Sequence, residues 1–214
     1  MKTIDLFLFD LDGTLIDSKR DIADSVNYTM KTLGLPLLEN ETIYEFVGNG
    51  VTPLIKKSVE AAGGCDFPHA LKVFLEYYDQ HLLDTTLPFR GILEILQHFK
   101  DKQKIVLTNK SQGFSQKILR GLKMDHYFEE IFGGDTSFPK KPAPDIVYHL
   151  LKIFGISPNQ AVMIGDSRVD METGRNAGIL TCGVTYGFRP RQELEEFKPD
   201  ELIEKPADLL KIFS

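Results

Sequence analysis

The chain has 214 residues, a formal charge of −6 and a pI near 5.4. Hydrophobic residues make up 42% and charged residues 26%, a globular balance that excludes intrinsic disorder and supplies a sizeable core. The acidic balance, with no long run of Lys and Arg, excludes the electrostatic footprint of a nucleic-acid binder, so any anionic ligand must be met by a metal ion or a few placed cations.

At the N-terminus, Asp5 interrupts the first apolar run and Asp10 ends it, a pattern that fits neither a signal peptide nor a membrane span. Cytoplasmic residence with no membrane partner is the expectation, and Cys65 and Cys182 read as two reduced thiols. Leu6 to Phe9 reads as a buried strand. The next strand begins near Ile105, about 95 residues on, far more than one crossover helix needs. The stretch from Asp17 to Asp84 has helical periodicity at Ile22, Val26, Met30 and Leu33, then over Leu54 to Ala61 and Ala70 to His81. Gly34-Leu35-Pro36 and Gly63-Gly64 supply turns between these helices, which predicts a separate helical insert. Beyond it, amphipathic stretches at Gly91 to Phe99, Phe114 to Leu122 and Asp145 to Phe154 alternate with strands at Ile105 to Leu107, Val162 to Ile164 and Leu180 to Val184. The tail from Pro199 to Ser214 reads as a short strand and a closing helix. Alternating strands and helices predict an α/β fold, with a Rossmann-like, doubly wound parallel sheet covered on both faces.

In such sheets ligands bind at the carboxyl ends of the strands, and the polar residues of this chain collect there. The first strand ends in Phe9-Asp10-Leu11-Asp12-Gly13-Thr14, the second in Leu107-Thr108-Asn109, and a later one in Ile164-Gly165-Asp166-Ser167-Arg168-Val169-Asp170. Gathering Asp10, Asp12, Asp166 and Asp170 is costly, since like charges 4 Å apart repel by about 4 kcal/mol at an effective dielectric near 20. Carboxylate oxygens without His or Cys partners suit Mg²⁺, which favours sites shared with a phosphate. Asp10 is then the candidate nucleophile toward phosphorus, and Asp12 the candidate acid/base for the leaving oxygen and the attacking water. Thr108, Asn109 and backbone N–H groups around Gly13 can hold phosphate oxygens without adding charge. Lys141, stiffened by Pro142 and Pro144, can bring a fixed ammonium to the phosphate, with Lys140 as its competitor. Asp170 divides between metal support and helix-start electrostatics. The five histidines, at 69, 81, 98, 126 and 149, show no ligand spacing and receive no catalytic role.

Asp10-Leu11-Asp12-Gly13-Thr14-Leu15, Thr108-Asn109-Lys110, Lys141-Pro142-Ala143-Pro144 and Gly165-Asp166-Ser167-Arg168-Val169-Asp170, in this order, resemble the four motifs of the haloacid dehalogenase superfamily. The resemblance covers nearly the whole chain. It implies a core of residues 1–16 and 85–214 with a small α-helical cap domain at 17–84. It further implies Asp10 as nucleophile, Asp12 as acid/base, Thr108 and Lys141 as phosphate holders, and Mg²⁺ bound by Asp10, the Asp12 backbone carbonyl and Asp166, with Asp170 supporting the metal site from its edge. Asp17-Ser18, Phe46-Val47-Gly48-Asn49-Gly50-Val51, the Asn109-Lys110 pair and Ala207-Asp208-Leu209-Leu210 are similar to phosphoglycolate phosphatases in particular. Lys19-Arg20 and the segment Gly187-Phe188-Arg189-Pro190-Arg191 depart from that pattern and bear on substrate choice. The implied activity is hydrolysis of a small phosphorylated metabolite, by a monomer or a homodimer. The rival readings are a phosphomutase, an inorganic pyrophosphatase and a non-catalytic phosphate-binding regulatory module. Gly165 before Asp166 argues against the mutase, and the intact set Asp10, Asp12, Lys141 and Asp166 argues against the non-catalytic module.

Overall fold

The computed structural model describes residues 1–64 and 66–214; Cys65 lies outside them, and Cys182 is a buried free thiol. In β1 (Leu6–Phe9), Phe7 and Phe9 enter one apolar cluster while Leu6 and Leu8 enter another, the period-two split of a strand covered on both faces. The two-residue β2 (Ile16–Asp17) leads into α1 (Lys19–Thr32), α2 (Asn40–Phe46), α3 (Val51–Ala61) and α4 (Phe67–Gln80). The chain then returns through β3 (Leu87–Pro88), which pairs antiparallel with β2. Next come α5 (Ile92–His98), β4 (Gln103–Leu107), α6 (Gln112–Gly121), β5 (Glu130–Phe132) and α7 (Asp145–Phe154). The remainder is β6 (Ala161–Gly165), α8 (Arg168–Ala177), β7 (Leu180–Val184), α9 (Arg191–Glu196), β8 (Glu201–Ile203) and α10 (Leu209–Ile212).

The main sheet runs β5-β4-β1-β6-β7-β8, parallel throughout, with Leu8 in register with Ile105 on one side and Met163 on the other. The chain builds outward from β1 to β4 and β5, then crosses back to β6, β7 and β8. Strand order therefore reverses at β1, which opens a crevice at its carboxyl end. The periodicity reading did not separate β5, because this edge strand is three residues long with Glu130 exposed and the other two half-buried. It also passed over β2, β3 and α2, which are too short to show a period.

The helical insert packs α1 on α4, with Ile22, Val26 and Met30 buried on one and Ala70, Phe74 and Tyr78 on the other, each series spaced by four. At the start of α4, Asp66 accepts a hydrogen bond from the His69 N–H at 3.2 Å, and Pro68 sits in the first turn. The buried residues of the insert join the same contiguous cluster as Phe7 and Phe9, linked through Leu11, Leu15 and Ile16. At the junction, the buried Asp21 carboxylate accepts from the backbone N–H and hydroxyl of both Thr85 and Thr86, at 2.5 to 3.1 Å. One side chain thus ties the first turn of α1 to the segment just before β3. Among the described residues, no helix is long and apolar enough to cross a membrane.

Candidate active site

The loops leaving β1 and β6 bring Asp10, Asp166 and Asp170 together, with one carboxylate oxygen from each within 4.8 Å of the others. All three are buried. Gly13 makes this approach possible, since its φ is +84° and a Cβ at that position would meet Asp166 Oδ2 at 2.3 Å. The Gly13 N–H, expected to face a phosphate, instead donates to the Ile16 carbonyl at 2.9 Å, closing the turn after β1.

The loop before α7 carries Lys141 into this group while Lys140 stays exposed. Lys141 Nζ lies 2.5 Å from Asp170 Oδ1 and 3.0 Å from Asp10 Oδ1. The contact to Asp10 is an ion pair without hydrogen-bond geometry, so Asp10 Oδ1 is a buried oxygen with no hydrogen-bond partner. Burial and then the Asp170 carboxylate push the Asp10 carboxyl up to about 6, against the pull of Lys141. Asp166 is raised well above the ordinary carboxylate range by burial, then by Asp170 and Asp10. Burial disfavours the Lys141 ammonium, but Asp10 and Asp170 outweigh it and raise the group.

One ammonium does not neutralise three buried carboxylates, and Asp10 Oδ1, although paired with Lys141, has no hydrogen-bond donor. These residues fit a hard divalent cation of the Mg²⁺ type, because every side-chain donor is a carboxylate oxygen and the deficit is positive charge. Asp10 and Asp166 are the side chains free to hold it. Asp170 has other commitments: Oδ2 accepts from the Ser167 backbone N–H at 3.1 Å and its hydroxyl at 2.7 Å, while Oδ1 holds Lys141. It both caps the start of α8 and anchors the lysine.

Asp12 points its carboxylate away from this group. The Ser18 hydroxyl donates to it at 2.5 Å, and Lys110 Nζ approaches its two oxygens at 3.1 and 3.2 Å. Of the four acids grouped in the sequence reading, Asp10, Asp166 and Asp170 come together, while the Asp12 carboxylate is held separately by Ser18 and Lys110. Thr108 accepts at Oγ1 from the Lys110 N–H at 3.2 Å, which leaves its hydroxyl proton free to donate. The Asn109 side-chain amide, expected to hold phosphate, is engaged with the carbonyls of Gly48 at 3.3 Å and Lys141 at 3.2 Å. It braces the insert loop and the lysine loop against each other.

Residues 7–184 match the family model of the haloacid dehalogenase-like hydrolases. The chain belongs to that family. Among haloacid dehalogenase-like relatives, the phosphoglycolate phosphatase of Colwellia psychrerythraea is 34% identical over 96% of this chain and 95% of its own. That of Aquifex aeolicus is 35% identical over 97% and 95%. The crystal structure of a predicted phosphoglycolate phosphatase from Haemophilus somnus 129pt matches with a TM-score of 0.92 and 31% identity, covering 99% of each chain. This haloacid dehalogenase-like hydrolase is thus phosphoglycolate phosphatase-like along nearly its whole length.

Two residues with no role in the sequence reading stand at the site. Lys110 is buried between Asp12 and the Tyr78 hydroxyl, which it reaches at 2.7 Å. Arg189, in the segment noted only as a departure, donates to the carbonyls of Glu45, at 3.0 Å, and Val47 in the insert. Its neighbour Phe188 donates its N–H to Asp166 Oδ2 at 2.7 Å. The signal for Lys110 was its place directly after a strand-end Thr-Asn; Arg189 carried none beyond the unusual loop.

Proposed function

We propose that this chain is a Mg²⁺-dependent phosphomonoester hydrolase acting on a small metabolite, 2-phosphoglycolate, through an aspartyl-phosphate on Asp10. Residues 17–84 serve as a cap domain over a core of residues 1–16 and 85–214, and the enzyme works in the cytoplasm. The observation that carries the reading is the buried trio Asp10, Asp166 and Asp170, with an unpartnered Asp10 oxygen and Lys141 beside it. Bound Mg²⁺ supplies positive charge that offsets the carboxylates and the phosphate, the largest requirement of phosphoryl transfer.

An Asp10 carboxylate oxygen forms the bond to phosphorus as the bond to the ester oxygen breaks, and Asp12 gives its proton to that departing oxygen. Water then attacks phosphorus and passes a proton to Asp12. The bond from phosphorus to Asp10 breaks, releasing phosphate. Thr108 donates its hydroxyl and Lys141 its ammonium to the phosphate oxygens, while Asp170 and Asn109 hold Lys141 in place. Ser18 and Lys110 orient Asp12, and the cap loop after α2 keeps bulk water from the acyl phosphate.

Phosphate release from 2-phosphoglycolate, β-glucose 1-phosphate and pyrophosphate, each with Mg²⁺, tests the reading. Release is expected chiefly from 2-phosphoglycolate, and Asp10→Asn should lower it by at least about a thousandfold while the fold survives. Formation of glucose 6-phosphate would mark a mutase instead, and full activity of Asp10→Asn would remove the nucleophile assignment.

A further inference from the structure

Beside Asp10 and Asp12 a cavity runs under the cap, and its far walls are apolar, formed by Ile22, Leu54, Phe74 and Phe114. Among the described residues that line it, Lys110 is the one cation. Its side chain is 8% exposed, and its Nζ also lies 4.8 Å from the centre of the Tyr78 ring. Withdrawing an ammonium from water costs several kcal/mol. Its partners here are the Asp12 carboxylate, whose two oxygens lie 3.2 and 3.1 Å away and can share one N–H, and the Tyr78 hydroxyl at 2.7 Å, an arrangement that leaves one of its three donors for a further acceptor.

We propose that Lys110 determines specificity by using its remaining donor to bind an anionic carboxylate one carbon from the ester oxygen of the substrate. This deepens the phosphatase reading and rests on it. To pass its proton, Asp12 must come within about 2.6–3.2 Å of the ester oxygen. Lys110 Nζ lies 3.1 Å from Asp12, so a group attached one carbon beyond that oxygen falls within its reach. The rest of the cavity disfavours polyhydroxylated leaving groups, whose hydroxyls would be buried against Ile22, Leu54 and Phe74 without partners. A short chain ending in a single carboxylate meets one cation and an apolar wall, which is what this cavity provides.

The test compares 2-phosphoglycolate with ethyl phosphate, which replaces the carboxylate by a methyl group and keeps the ester. Wild-type enzyme with Mg²⁺ should prefer 2-phosphoglycolate in kcat/KM. Lys110→Met and Lys110→Gln should shrink that preference by about tenfold to a hundredfold, the range of one charge-assisted hydrogen bond, and Lys110→Arg should keep most of it. Both esters should turn over more slowly in the neutral variants because Asp12 loses its partner, so the ratio is the readout. Calorimetric binding of the two esters to Asp10→Asn, with and without Lys110→Met, gives the same comparison without turnover. An unchanged ratio and an unchanged binding preference would reduce Lys110 to a positioning residue for Asp12 and overturn the proposal, as would a wild type indifferent to the carboxylate. If neither ester is hydrolysed, the phosphatase reading falls, while the binding comparison still decides the role of Lys110.

Discussion

Burial and Asp170 push the Asp10 carboxyl from its ordinary value of 3.8 up to about 6, so between these values the folded chain without metal holds a proton that the unfolded chain has lost. The stability this proton contributes is complete below about 3.8 and is lost as pH rises through about 6. In the presence of EDTA, the melting temperature of wild type should therefore fall relative to that of Asp10→Asn as pH rises from about 4 to about 7. On the proposed reading Mg²⁺ would bind the ionised carboxylates in competition with protons, so its stabilising shift should be larger at about pH 7 than at about pH 5. Thermal melts of the two proteins, with and without Mg²⁺, check both expectations; a metal shift of equal size at both pH values would remove Asp10 from the cation site.

The helical insert leaves and re-enters through two very short paired strands, too little ladder to hold it by themselves. Asp21 supplies the missing connection, and its residues were legible only as the beginning of an amphipathic helix. It lies one position before Ile22 on α1, where an acid in a first turn is unremarkable. Only folding brings Thr85 and Thr86, more than 60 residues away, onto its carboxylate. Asp21→Ala leaves the N–H and hydroxyl of buried Thr86 without their acceptor and frees those of exposed Thr85 to water. It should cost roughly 2–4 kcal/mol in urea unfolding. A loss below about 0.5 kcal/mol, the scale of an ordinary surface substitution, would mean the junction is held elsewhere.

Across the whole molecule, the insert loop after α2 is fastened by Arg189 at the carbonyls of Glu45 and Val47 and by Asn109 at Gly48. Because Phe188 also holds Asp166, one segment touches both the insert and the acid trio. Arg189→Ala should speed amide exchange over residues 45–51 and raise KM several-fold with a smaller change in kcat, since closure and not the reacting groups is disturbed. Exchange mass spectrometry showing the loop equally protected in both proteins would break this link. The alternation of the longer strands and helices, the helical stretch after β1 and the acids at strand ends were readable in the chain, because side-chain period and loop residues are set by local geometry. Residue type also marked Asp10, Thr108 and Lys141 as candidates for holding a phosphate and a hard cation, and folding brings Asp10 beside both Thr108 and Lys141. The separation of Asp12 from the acid trio, the use of Asn109 and Asp170 as braces, and the placing of Lys110 and Arg189 were decided by tertiary structure alone. Each depends on which partner a side chain meets from a distant part of the chain, and that is fixed only when the helical insert and the sheet pack together and every buried polar group must find a donor or an acceptor.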